Sequence, residues 1–283
     1  MNLAAIPAKS KLPKRAWLVV LLLAIVGCLN YLDRTMITTM RGSIVDAIPM
    51  SDAQFGLLTS VFLWVYGIAS PFAGFLADKF SRSTVIIASL FLWSLVTWLT
   101  AYSTTFDHLL ATRALMGISE ACYIPAALSL IVEYHRNTTR SLAIGIHMVG
   151  IMVGSGLGFV GGWVAENHHW NTIFIILGVF GIIYAVVLAF TLKDAPKSEV
   201  NIAPEKVEDK VTFFHSVKVL FKLRSYIFIL IAWGLLGTVA WLVVGWLPTY
   251  FQEHFNLTQG MAGLYATGYL YPAAIVGLLV GGF

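Results

Sequence analysis

The chain has 283 residues, of which 58% are hydrophobic and only 11% charged, with a formal net charge of +4. Soluble domains carry roughly 25% charged residues, so this composition, with a mean hydropathy of +0.81, excludes a soluble domain and leaves a protein that crosses a membrane many times. The small positive balance then belongs to loops rather than to a nucleic-acid-binding surface, and two cysteines inside apolar runs give neither a disulfide framework nor a zinc site.

Hydropathy predicts eight helical spans, near residues 16–40, 54–77, 83–103, 107–133, 140–164, 170–192, 225–250 and 260–283. The basic N-terminus runs into an apolar stretch too long for a secretory leader and without a small-residue cleavage pattern, so it reads as the first span. The first six spans follow one another with short connections. After them comes "KDAPKSEVNIAPEKVEDK", charged and proline-containing, which reads as a solvated linker. Next, "VTFFHSVKVLFKLR" puts Phe213, Phe214, Val217, Leu220 and Phe221 at helical spacing with basic residues between, the pattern of an interfacial amphipathic helix. The expected organisation is a six-helix unit over 1–192, a loop over 193–224 and the start of a second unit over 225–283.

Lysine and arginine set the expected orientation. The N-terminus, the second and fourth connections and the long loop hold all the basic residues outside the spans except Arg41, which makes these segments cytoplasmic by the positive-inside rule. Arg34 and Arg113 lie inside spans, and so do Asp33 and Glu120. Such charges are expensive in hydrocarbon and mark substrate or ion pathways. Asp33 and Arg34 lie about six residues from the outer end of span one, and Arg113 lies about six from the outer start of span four. At ~1.5 Å per residue these three share a depth. Asp33 can therefore meet Arg113 if the two helices are neighbours, and Arg34 is long enough to reach toward Glu120, two turns further along span four. One reading is a pair of structural ion bridges. The other is a charged-substrate and proton site: burial favours the neutral form of a carboxylate and a neighbouring arginine the ionised form, so a substrate competing for the arginine lets a proton bind.

"GFLADKFSRS", from Gly74 to Ser83, resembles the loop signature of the major facilitator superfamily. Asp78 and Arg82 match its charged positions. Lys79 and Ser81 depart from its usual arginine and glycine, and that glycine implies a tight turn. "RALMGISEA" (Arg113–Ala121) and the glycine-spaced "GIMVGSGLGFVGG" (Gly150–Gly162) are similar to the family's fourth and fifth spans. The second contains a formal G-x-G-x-x-G, which inside a membrane helix lacks the strand and helix start that a dinucleotide site needs.

The resemblance implies an all-α membrane protein of the major facilitator fold: an N-terminal six-helix bundle plus the first two helices of the second half, the chain stopping in the eighth of twelve spans. "NYLDR", "GISEA" and "GWLPTYF" resemble the anion:cation symporters, which implies proton-coupled symport of a small organic anion such as a hexuronate or other sugar acid. Carried over, Arg34 anchors the carboxylate, Asp33 and Glu120 handle protons with Arg113 as charge partner, and Gly74, Asp78, Lys79 and Arg82 form a gating loop. Asn30, Tyr31, Tyr66, Tyr123 and His147 are further candidates to line a substrate cavity, although aromatics in membrane helices more often pack or anchor. The same motifs occur in spinster-like lipid transporters, which leaves lipid transport as an alternative, and a non-transporting sensor of the same fold as another. No enzyme chemistry, cofactor or metal ligand set is read from the sequence. The expected partners are the anion, protons and the lipid bilayer, with no nucleic acid, and the protein is expected to be a monomer in a bacterial inner membrane with its N-terminus cytoplasmic.

Overall fold

A computed structural model describes residues 15–135, 138–196 and 213–281; within it the side chains of Asp78, Phe213, Phe214, Ser216 and residues 278–281 are not described. The described part is helical throughout, with no strand. Its helices are α1 (Ala16–Thr39), α2 (Arg41–Ala47), α3 (Asp52–Lys79), α4 (Arg82–Thr100), α5 (Phe106–Ala121), α6 (Tyr123–Tyr134), α7 (Arg140–Gly156), α8 (Phe159–Asn167), α9 (Thr172–Thr191), α10 (Phe213–Lys222), α11 (Arg224–Phe255), α12 (Gln259–Gly263) and α13 (Leu270–Gly281), with a π-helical turn over Leu264–Gly268. Seven helical segments of the described part are long and apolar enough to cross a membrane. The eighth expected span is the run from Gln259 to Gly281, interrupted by the π turn.

Two spans are broken where local chemistry demands it. Span four divides at Cys122, one turn before Pro125, because a proline lacks the amide for the helical bond and crowds the carbonyl four residues back. The break leaves Glu120 in the last turn of α5. Span five tightens between α7 and α8, where Gly158, Val160 and Gly161 each donate to the carbonyl three residues back. Threonines of α1 stitch this turn: Thr39 Oγ1 donates to the Gly158 carbonyl at 2.9 Å and accepts from the Gly162 amide at 3.0 Å.

Those glycines let α7 and α8 lie against α1 nearly backbone to backbone. A Cβ on Gly154 would run into the Cys28 carbonyl, and one on Gly150 into that of Ala24. Elsewhere α3 packs on α5 and α4 on α9. The core divides into two clusters along the membrane normal. One, toward the end carrying the basic loops (the basic end), includes Leu23, Trp93, Tyr123 and Leu130. The other, toward the far end, includes Met36, Met40, Phe55 and Phe174. Between them lies a buried polar layer made by Asn30, Asp33, Arg34, Arg113 and Glu120.

At the basic end, Ser81 accommodates its departure from glycine without strain. Its φ of −57° is open to any residue, and its hydroxyl caps α4 by accepting from Thr84 N. Span seven, α11, packs on the other helices through its far half, where Gly245, Pro248 and Thr249 are buried, and ends at Asn256 in the left-handed region with φ 50°, a conformation asparagine tolerates better than most residues.

Candidate functional site

Arg34 and Glu120 meet as the sequence predicts. Arg34 Nε donates to Glu120 Oε2 at 2.8 Å, and Asn30 Nδ2 donates to the same oxygen at 3.0 Å. A bridge of this kind in hydrocarbon persists only with good geometry and further hydrogen bonds, and Asn30 supplies one. Three aromatic rings complete the seat of the guanidinium: its carbon lies 4.4 Å from the ring centre of Tyr66, 4.7 Å from Tyr31 and 5.1 Å from Phe62. Cation–π contacts of this length gain strength when desolvated. Tyr31, Tyr66 and Asn30 are thus gathered around Arg34, and Phe62, which nothing in the sequence singles out from other span phenylalanines, joins them.

Asp33 and Arg113 share a depth but form no ion pair. Successive helical residues are 100° apart, so when Arg34 faces α5, Asp33 is turned toward α4, where Thr97 Oγ1 donates to its Oδ2 at 3.3 Å. Arg113 instead leans over Phe174 of α9, 5.8 Å from the ring centre. The two side chains are not in contact, so the meeting that a shared depth would allow between neighbouring helices does not take place.

Tyr123 and His147 fall outside this group. They pack edge to face at 5.9 Å within the cluster toward the basic end, and Tyr123 Oη donates to the Leu23 carbonyl at 2.6 Å. The His147 ring lies against Gly27, 3.0 Å from where a Cβ would stand.

Several buried polar atoms in the layer have no hydrogen-bond partner: Arg34 Nη2, Arg113 Nε and Nη2, Glu120 Oε1 and Asp33 Oδ1. Buried polar groups are nearly always bonded, so these atoms are the hydrogen-bonding capacity that the layer leaves for water or a ligand. Beside the two arginines is a cavity of about 400 Å³, walled by α1, α3, α5 and α11. Besides Arg34 and Arg113 its lining includes Thr38, Thr59, Ser60 and Thr238, whose hydroxyls each donate to a carbonyl three or four residues back and keep lone pairs to accept with. The apolar side is formed by Ile37, Leu58, Phe62, Leu63, Trp64, Trp241, Leu242 and Trp246. Its charged lining is cationic alone. Among the described residues no three metal-ligating side chains come together.

The residues expected to form a gating loop lie at the basic end, away from the cavity. Gly74 has no neighbouring group within 4 Å of a Cβ position, and Lys79 Nζ rests 5.8 Å from the Phe80 ring. Asp78 has its backbone in α3, while its side chain is not among those described. Arg82 donates to the Ala77 and Phe80 carbonyls and pairs with Glu133 of α6 at 3.2 Å. Asp194, after α9, accepts from Ser81 Oγ at 2.5 Å and from the Ser83 amide at 2.8 Å. Burial opposes ionisation of Asp194, but these hydrogen bonds and the nearby Arg82 together hold its carboxyl below the usual range. Sequence reading missed Glu133 and Asp194, because an acid at a span end looks like any loop charge.

At the far end, contacts join the first six spans to the seventh and eighth. Arg41 pairs with Asp52 of α3 and, at 3.7 Å, with Glu253 of α11. Gln259 accepts from the Ser43 amide at 3.0 Å and donates to Ser43 Oγ at 2.9 Å and to the Gly162 carbonyl at 3.3 Å. Glu166 accepts from the Gly260 amide at 2.7 Å.

Comparison with known proteins agrees with this architecture. Among curated proteins the chain is 26% identical to Protein spinster of Drosophila melanogaster over 98% of its own length and 46% of that protein. It is 27% identical to the mouse (Mus musculus) sphingosine-1-phosphate transporter SPNS2 over 82% and 43%, and 25% identical to the hexuronate transporter of Bacillus subtilis over 98% and 64%. The chain thus spans about half to two-thirds of the length of these relatives. Its fold matches the crystal structure of a bacterial homologue of the human lysosomal transporter spinster, in an inward-facing and unoccupied conformation, with a TM-score of 0.81, 24% identity, and coverage of 95% of this chain and 62% of that one. The family model described as Major Facilitator Superfamily matches residues 23–283, and with the helical bundle already described this makes the chain an integral membrane protein that belongs to the Major Facilitator Superfamily.

Proposed function

We propose that the intact protein is a proton-coupled transporter of an organic anion, and that this chain supplies the anion's anchor and the proton-carrying acids. The observation that carries the reading is the cavity whose charged lining is two arginines, with Arg34 Nη2 and Arg113 Nε and Nη2 buried and without a partner. An anion on the free edge of Arg34 competes with Glu120 for the guanidinium. Glu120, losing its cation inside hydrocarbon, takes up a proton, and the two loads then move together. Asp33, linked to Thr97, is the second acid in this scheme. Alternating access comes from the two halves rocking about the site, with the far-end contacts closing one side. The basic end faces the cytoplasm by the positive-inside rule, and a bacterial inner membrane suits the short connections.

Two anion classes are favoured by different observations. The largely apolar, tryptophan-rich wall and the spinster relatives support an amphiphilic anion with a lipid-like body. The four hydroxyl residues of the wall and the hexuronate transporter relative support a sugar acid. A thermal-shift screen of the full-length protein with sugar acids, neutral sugars and lysophospholipids separates them. A ligand at 100 times its dissociation constant stabilises by about 2.7 kcal/mol. Stabilisation by one anion class, absent for neutral analogues and clearly reduced in Arg34→Lys, is the expected result. Equal stabilisation by neutral sugars, or binding untouched by that substitution, would remove Arg34 as the anchor.

A further inference from the structure

We propose that α10 is a membrane-surface helix that binds the anionic phospholipids of the leaflet at the basic end and so anchors the start of span seven. In α10, Val217, Leu220 and Phe221 follow one another at i, i+3 and i+4 and form one face. His215, Lys218 and Lys222, also three and four residues apart, form the adjoining face. The apolar face has little protein against it among the described residues: Phe221 is 53% exposed and Leu220 40%. A helix with this division lies in the plane of a bilayer interface, its apolar stripe among the upper acyl chains and its lysines at headgroup level.

The connection to α11 puts α10 at that level. At ~1.5 Å per residue the 32 residues of α11 extend well beyond the roughly 30 Å hydrocarbon core, so its first turn, beginning at Arg224, emerges among headgroups. The chain breaks helix at Leu223, where φ and ψ are −84° and 111°. A T-shaped contact between Phe221 and Tyr226, with ring centres 5.7 Å apart, spans the corner. Lys218, Lys222 and Arg224 are all exposed beside it, with no acid in α10 or in the first turn of α11. The charge of the surface therefore complements an anionic leaflet. Docking there fixes the basic end of the helix whose far half supplies Trp241 and Trp246 to the cavity wall.

The test uses the full chain in lipid nanodiscs, with a polarity-sensitive bimane on Val217→Cys in a background lacking Cys28 and Cys122. Spin labels near the headgroup end of the acyl chains report docking, and aqueous iodide reports release. The expected result is quenching by the lipid label in discs containing phosphatidylglycerol, and iodide access in purely phosphatidylcholine discs. Adding Lys218→Gln and Lys222→Gln is expected to lower the docked-to-free ratio about thirtyfold, the factor that ~1 kcal/mol per basic residue implies, with the thermal midpoint unchanged. Iodide access in both lipid compositions would overturn the proposal. So would a bimane shielded from both quenchers and indifferent to lipid charge and to the lysines, since the face would then be covered by protein.

Discussion

Arg34 is bonded on one edge and open on the other, and the consequences of changing it depend on which edge is lost. Arg34→Ala leaves Glu120 buried without its cation, a change that costs ~3–5 kcal/mol when one partner of a buried pair goes, so loss of fold would obscure loss of binding. Arg34→Lys keeps the charge but removes the planar fork that serves two partners at once. Its expected phenotype is a folded protein whose anion affinity falls about tenfold to a hundredfold, the worth of a charge-assisted hydrogen bond, measured by ligand-dependent thermal shift. Glu120→Gln retains an oxygen for Arg34 Nε to donate to and removes the acid proposed to carry the proton. It is expected to preserve anion exchange in proteoliposomes while abolishing accumulation driven by a pH gradient; accumulation that survives would assign coupling to another group. The Arg34–Glu120 pair was legible in the sequence because depth follows from counting residues along helices of known rise. The absence of an Asp33–Arg113 bond was not, because depth carries no azimuth: that Asp33 turns to Thr97 depends on which helices flank α1.

At the scale of elements, the packing of α1 on α7 rests on glycine at positions where a methyl group has no room. Gly154→Ala would press a Cβ on the Cys28 carbonyl, whereas Gly145 of the same helix has nothing within 4 Å of the corresponding point. The first substitution is expected to destabilise by ~1–3 kcal/mol, the usual cost of overpacking, and the second to be neutral; thermal melts of the two variants in detergent compare them directly. The clamp that Asp194 makes with Ser81 and Ser83, beside the Arg82–Glu133 pair, makes a pH prediction. Asp194 has a carboxyl held below its ordinary value of 3.8 in the folded protein. A group depressed in this way contributes stability that is present above the unfolded value and fades as pH falls through the folded one. Asp194→Asn is therefore expected to lower the thermal midpoint near neutral pH, with the gap from the unsubstituted protein closing below about pH 4. Helix positions were readable from hydropathy to within a few residues, and so was the glycine spacing of span five, but not that α1 is the helix packed on it. The clamp was not readable: Ser81, Glu133 and Asp194 come together only because α4, α6 and the end of α9 converge at one corner.

For the molecule as a whole, the described contacts between the first six spans and the last two are concentrated at the far end, where Arg41, Ser43, Gly162 and Glu166 meet Glu253, Gln259 and Gly260. These bonds are short-range and directional, so they favour only the arrangement in which the far ends are together. In a protein that alternates between two arrangements, each net hydrogen bond confined to one of them biases the balance by ~0.5–1.5 kcal/mol, and one to a charged group by somewhat more. Gln259→Ala removes three bonds to Ser43 and Gly162, and Glu166→Gln weakens the hold on the Gly260 amide. Together they are expected to shift the population toward a far-open state by about tenfold or more, at ~1.4 kcal/mol per tenfold. Thr59 lines the cavity from α3, so Thr59→Cys, in a background lacking Cys28 and Cys122, reports that opening through its reaction with a membrane-impermeant maleimide supplied from the far side. Slow labelling in the otherwise unsubstituted protein, and faster labelling when Gln259→Ala and Glu166→Gln are added, is the expected pattern. Equal rates in the two would mean that the far-end bonds do not hold the cavity shut, and closure would then have to come from the apolar packing of α11 against α1 and α12.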